Sequence, residues 1–253
     1  MCGHWSRLRE SCGSPDRALE KAREAIHEAA QASKPLNVCY ALLYTVPVFL
    51  WCGDIGGAGE GLEKLMAHPN WQALPSLRAT GLAMKGELAL RSGDRARGTA
   101  LLSEALAAMK ADRQGLLVTR VACALAEGLA ANERLEEART LISEAIAKSL
   151  DKGETLELPE LLRVKATILL SMPEPHSAGA EGCLKESLEC ARRQAARSWE
   201  LRTALTLARV RAGERHTDQA CELLASAYGG FKEGFATSDL SAARELLQTL
   251  GAA

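Results

Sequence analysis

Three sets of residues in this chain have types and spacing that could carry chemistry. The first is the glycine-rich run GDIGGAGEGLEK, Gly53 to Lys64, which follows an apolar stretch. A phosphate-binding loop needs glycines leading into Gly-Lys-Ser/Thr, so that backbone N–H groups and a lysine hold phosphate oxygens at a helix N-terminus. Here Gly61 is followed by Leu62, and the GxGxxG spacing begun by Gly57 and Gly59 also ends on Leu62. The run is therefore expected to be a helix that packs closely on its neighbour. The second set is Arg192, Arg193, Arg197, Arg202, Arg209, Arg211 and Arg215, because clustered guanidinium groups can hold phosphate or carboxylate. Glu189, Glu200 and Glu214 interrupt it, which favours local ion pairing over peptide, carboxylate or nucleic-acid recognition.

The third set is the five histidines and eight cysteines. His4, His27, His68, His176 and His216 are isolated and form no HExxH pair, and the cysteines form no CxxC. Small buried thiols in a reducing, cytoplasmic setting are the expectation. No Ser or Thr has a neighbouring His and Asp to activate it. Neither a metal, a cofactor nor enzymatic chemistry is expected.

The composition fits this reading. Hydrophobic residues make up 47% of the 253, charged residues 25%, and the net charge of -1 gives no electrostatic pull towards nucleic acid or an anionic membrane. Residues 1–14 carry charges and lack the apolar core of a secretion signal. Leu36 to Cys52 has no charge over 17 residues, the lower limit for a membrane span. It falls where a repeat places a first helix, so a buried helix is expected there and no membrane contact.

The repeat is clearest in GELALRSGDRARGTALLSEAL, Gly86 to Leu106: a helix with a small residue at Gly86, a Ser-Gly-Asp turn, and a second helix with small residues at Gly98 and Ala105. The second helix recurs at Ala18, Ala58, Ala138, Ala180 and Ala220, in steps of 40, 40, 40, 42 and 40 residues. A fixed period of this size implies stacked helical hairpins. The expected fold is all-α, a right-handed solenoid of about six hairpins in one domain over 1–253. The units are about 1–33, 34–70, 71–112, 113–153, 154–196 and 197–230, with a C-terminal cap over 231–253. The first unit has only the last turns of its first helix, over residues 1–10. Pro47 should kink its helix near Leu43 to Thr45. Gly93 should take a left-handed conformation with Asp94 capping the next helix, and Asn132 should supply the positive φ in the following unit. The turn at Met172-Pro-Glu-Pro-His-Ser accounts for the step of 42. A last amphipathic helix should begin at Ser238 or Asp239 and run through Leu250.

The phase of Gly86, Gly98 and Ala105, repeated at Ala126, Ala138 and Ala145 and at Ala208, Ala220 and Ala227, resembles the tetratricopeptide repeat, although that family's usual period is 34. ELPELLRVKATILLS, SLECARRQAARSWELRTALTLARV and YGGFKEGFATSDLSAARELL are similar to the C-terminal repeats of bacterial signal-transduction ATPases, including winged-helix transcriptional regulators and adenylate cyclase-type proteins. The resemblance implies first helices lining a concave groove. In the register of Gly86 that face collects Tyr40, Leu43, Thr80, Glu87, Arg120, Glu127, Glu160, Arg163, Arg202 and Arg209. It also implies a protein partner, or an upstream ATPase, winged-helix or cyclase module that this chain does not contain. The alternative is a small-molecule effector held in the groove. One position where carboxylate-clamping repeats keep Lys or Asn carries Leu43, Ala83, Cys123, Arg163 and Leu205 here, so chaperone tails are not expected to bind.

Overall fold

The computed structural model describes residues 13–31, 35–68, 71, 75–111 and 117–251. Twelve helices and no strand occur among them. In order these are α1 (Pro15–Gln31), α2 (Pro35–Cys52), α3 (Ile55–Ala67), α4 (Pro75–Arg91), α5 (Arg95–Ala111), α6 (Val118–Ala131), α7 (Leu135–Asp151), α8 (Leu158–Ser171), α9 (Ser177–Arg193), α10 (Arg197–Gly213), α11 (Thr217–Tyr228) and α12 (Ser238–Gly251). The short first helix expected over residues 1–10 lies outside the described residues, as do His4, Cys2 and Cys12.

The turns follow from local chemistry. Gly53 and Gly93 hold φ of 77° and 89°, which ends α2 and α4. Asp54 and Asp94 then cap α3 and α5, their carboxylates accepting the amides of Gly57 at 2.9 Å and Arg97 at 3.2 Å. In the α6–α7 turn the expectation fails by one residue: Asn132 has φ -97°, and Glu133 takes the left-handed conformation at 61°. Glu133, not Asn132, lies one period after Gly93. The Asn132 amide instead donates to Thr99 Oγ1 at 2.8 Å and to the Arg95 carbonyl at 3.3 Å. Arg215, at the same place before α11, has φ 64°. Pro47 lies inside α2, which continues through it to Cys52, and the Thr45 hydroxyl donates to the Ala41 carbonyl at 2.8 Å.

Contacts group the chain into two compact units, residues 17–138 and residues 139–251 with 13–16. In the 17–138 unit α2 packs on α3, α3 on α4, α4 on α5 and α5 on α6, while the first helices α2, α4 and α6 also touch in sequence. The small residues sit at the closest approaches. A Cβ on Gly86 would lie 3.0 Å from the Gly98 carbonyl oxygen, and one on Gly98 would lie 2.8 Å from the Gly86 oxygen. Ala105, one turn pair further along α5, is fully buried.

In the 139–251 unit α8 packs on α9, α9 on α10 and α10 on α11, with α8 also against α10. Ala180, Ala208 and Ala220 are fully buried at their repeat positions. Ser187 occupies the register of Ala105 and is equally buried. Its hydroxyl donates to the Pro159 carbonyl at 2.7 Å and pairs with Thr203 Oγ1 at 2.8 Å, so the polar atom is satisfied inside the stack. Helix α12 packs on both α10 and α11. It buries Leu240, Ala243 and Leu250 against Leu201, Leu205, Leu224 and Phe231, in the place a further first helix would take.

Among the described residues no helix is long and apolar enough to cross a membrane. Leu36 to Cys52 is instead α2, with Cys39, Leu42, Val46 and Leu50 fully buried.

Candidate partner-binding face

Spacings of four and seven place Leu36, Tyr40, Tyr44 and Trp51 along one stripe of α2. Leu36 and Tyr40 are 38% and 42% exposed. Leu43, one residue off the stripe, is half-buried against Cys39, Leu42, Leu65, Trp71 and Leu77, and Thr80 on α4 is buried. Trp51 continues the stripe into a polar cluster. The Arg120 guanidinium lies over its ring, 4.5 Å from the centroid, and Arg120 Nη2 donates to Glu87 Oε2 at 2.8 Å. Both charged side chains are 13% exposed, and Arg91 adds a second cation 3.6 Å from Glu87. Pairing and stacking at this depth are screened far less than on an open surface. They tie α2, α4 and α6 together along their first-helix face. Glu127, two turns along α6 from Arg120, is exposed.

The 139–251 unit has a cluster of the same kind. Arg163 Nε and Nη2 donate to Glu160 Oε2 and Oε1 at 2.8 and 2.9 Å along α8. Arg202 of α10 donates through Nη1 to the same Glu160 Oε1 at 3.2 Å, and through Nε to Asp239 Oδ2 of α12 at 2.6 Å. Glu160, Arg163 and Arg202 are about 15% exposed. Burial pushes the Glu160 carboxyl up, but the charges and hydrogen bonds of Arg163 and Arg202 outweigh it and hold the group at about 2. Burial likewise works against the Arg202 charge, and Asp239 and Glu160 more than restore it, raising its pKa above the ordinary value. Two cations and two carboxylates thus form a charge-balanced network. Arg209 lies exposed two turns along α10.

Of the ten residues expected on this face, the structure brings together Glu87 with Arg120, and Glu160 with Arg163 and Arg202. It leaves Tyr40, Glu127 and Arg209 exposed and draws Leu43 and Thr80 inward. Trp51, Arg91 and Asp239 were not among the ten. The signal that finds Trp51 is its place on the Tyr40 stripe, and Asp239 stands about one period after Arg202. The arginine stretch is largely paired: Arg192 with Glu200 at 2.7 Å, Arg193 with Glu189 at 3.9 Å, and Arg197 donating to the Gly230 carbonyl at 2.8 Å.

The glycine-rich run has its helix N-terminus occupied by the protein's own anion. The Asp54 carboxylate accepts the Gly57 amide and also pairs with Arg23 at 2.8 Å. A Cβ on Gly61 would lie 2.8 Å from Val46, so its glycine serves the close packing of α3 on α2. No group of three His, Cys, Asp or Glu that could hold a metal occurs among the described residues. Among the described residues no cysteine is in a disulfide, and burial pushes the Cys39 and Cys183 thiols up, away from the reactive thiolate.

No protein-family model and no curated protein sequence matches this chain. Its helix order does match solved structures. BtubC (BKLC) from P. vanneervenii superposes with a TM-score of 0.57 at 14% identity, covering 94% of this chain and 91% of BtubC. This chain is an all-α helical solenoid. The apo form of the quorum sensor NprR from B. thuringiensis is similar to it with a TM-score of 0.58 at 13% identity, over 98% of this chain and 69% of NprR. At such identities the likeness is one of fold.

Proposed function

We propose that this chain is a non-catalytic, tetratricopeptide-like binding module over residues 1–253, serving as a protein-interaction scaffold or sensor of a bacterial cytoplasmic signalling or transcriptional regulator. The observation that carries the reading is the first-helix stripe Leu36, Tyr40, Tyr44 and Trp51, apolar and partly exposed beside the Arg120–Glu87 pair. Tyrosine and tryptophan beside a fixed ion pair suit a peptide surface, because they offer large contact areas with few rotatable bonds. The ten first-helix residues then act in two ways. Tyr40, Glu127 and Arg209 meet the partner, and the paired charges hold the helices that present them. The resemblance of the last hundred residues to repeats of signal-transduction ATPases supports a regulatory setting, with an upstream ATPase, winged-helix or cyclase module as partner.

Peptide display on the whole chain tests this. Enriched peptides should lose binding to Tyr40→Ser while the variant keeps its melting temperature. Peptides that bind wild type and Tyr40→Ser equally, or no enrichment at all, would refute the assignment of this face. A second reading, a small-molecule effector in the same groove, is favoured by the fold shared with a quorum sensor. A metabolite that raises the melting temperature and displaces the selected peptides would support it.

A further inference from the structure

Residues 13–16 make a set of contacts that repeat stacking does not require. The Asp16 carboxylate accepts the Gly234 amide at 2.9 Å, across 218 positions of sequence. Gly234 is buried with φ 78°, and a Cβ there would lie 2.5 Å from the ring of Pro15. Both the backbone conformation and the space therefore demand glycine at this position. Gly13 lies against the Arg197 side chain, where a Cβ on it would lie 3.0 Å from Arg197 Cδ. Arg197 in turn donates to Gly230 at the start of the same loop.

The loop passes this contact onward. The Gly234 carbonyl accepts both the Thr237 amide at 2.8 Å and the Thr237 hydroxyl at 2.7 Å. The Thr237 carbonyl accepts the Ser241 amide in the first turn of α12. Asp239, between them, holds Arg202. Each link is short and directional, so the series has little freedom to absorb a displacement.

We propose that residues 13–16 are a strap which, by fixing the 229–237 loop, seats the start of α12 and so governs the engagement of Arg202 by Asp239. Undocking the strap frees the Gly234 amide, loosens Thr237 and lets α12 withdraw its carboxylate. Arg202 then turns wholly to Glu160. The strap is a conformational device that carries events at residues 13–16 to the first-helix face of this unit, whatever that face binds.

Hydrogen exchange and side-chain NMR on the whole chain test the relay. The Arg202 Nε–H signal, assigned by its loss in Arg202→Lys, should exchange slowly in wild type. In Asp16→Ala the Gly234 and Thr237 amides and the Arg202 Nε–H should each exchange roughly ten-fold faster or more, while amides of α5 stay unchanged. Gly234→Ala should give the same pattern with Asp16 intact. In a double-mutant cycle, the effects of Asp16→Ala and Asp239→Ala on the unfolding constant should fall short of their product by about five-fold. An unchanged Gly234 amide, an unchanged Arg202 Nε–H beside a faster Gly234, uniform acceleration over 139–251, or a multiplicative cycle would each overturn the proposal.

Discussion

Glu160→Gln gives the sharpest test of the charge network, because its effect must depend on pH in a specified way. The carboxyl has a pKa of about 2 in the folded chain against an ordinary value of 4.5. A depressed folded value means that the stabilisation is complete above the unfolded value and disappears as the pH falls through the folded one. The difference corresponds to roughly 3 kcal/mol at pH 7, falling to roughly 2 kcal/mol at pH 3.5. Geometry leads to a similar figure. Removing the anion leaves Arg163 and Arg202, both about one-seventh exposed, with Asp239 as the remaining carboxylate of the cluster. Stranding a buried charge costs about 3 to 5 kcal/mol. Urea unfolding of wild type and Glu160→Gln, compared at pH 7 and pH 3.5, measures the gap, since carboxylates outside the cluster contribute equally in both proteins. A gap that stays constant between the two pH values would refute the role assigned to this ion network.

Other expectations concern packing and turns. Ala105→Leu and Ala145→Leu should each destabilise by about 1 to 3 kcal/mol through overpacking at buried repeat positions, whereas exposed Ala111→Leu should change little, as thermal unfolding would show. Glu133→Gly and Arg215→Gly should stabilise by about 0.5 to 1 kcal/mol, because a side chain in the left-handed region is strained; a lower melting temperature would count against those backbone angles. Asp54→Ala removes both the α3 cap and the Arg23 pair and should cost about 1 kcal/mol, measurable as a lower urea midpoint.

Much of the fold was legible because it rests on local signals. Gly93 and Asp94 act through their own backbone geometry, the 40-residue period places every small residue at a helix contact, and Ser238 starts the cap where a capping residue precedes an apolar pattern. Asn132 misled because its side-chain chemistry suits a positive φ, while the register assigns that conformation to Glu133. The face itself was legible only as a set of positions. Whether Arg202 is open to a ligand or held by Asp239 and Glu160 depends on contacts spanning 37 and 42 residues. Helical spacing reports neighbours three and four apart and is blind to such pairs. Trp51 is readable from its place on the Tyr40 stripe, but its partner, a guanidinium on α6, is not.

The first-helix ion pairs also bear on how freely hairpins could be exchanged. Arg120 reaches from one hairpin to Glu87 in the preceding one, and Arg202 reaches both back to Glu160 and forward to Asp239. The α4–α6, α8–α10 and α10–α12 contacts are thereby keyed. Excising the α6–α7 hairpin would leave Glu87 with Arg91 alone, and ending the chain after α11 would leave Arg163 and Arg202 sharing Glu160. A transplanted hairpin would need a charge of the right sign on each side to be accepted. Uniform apolar stacking would let repeats slip, swap or be duplicated at little penalty. Within each unit, these polar keys fix the order of the helices they join and make misplacement of those helices during folding unfavourable.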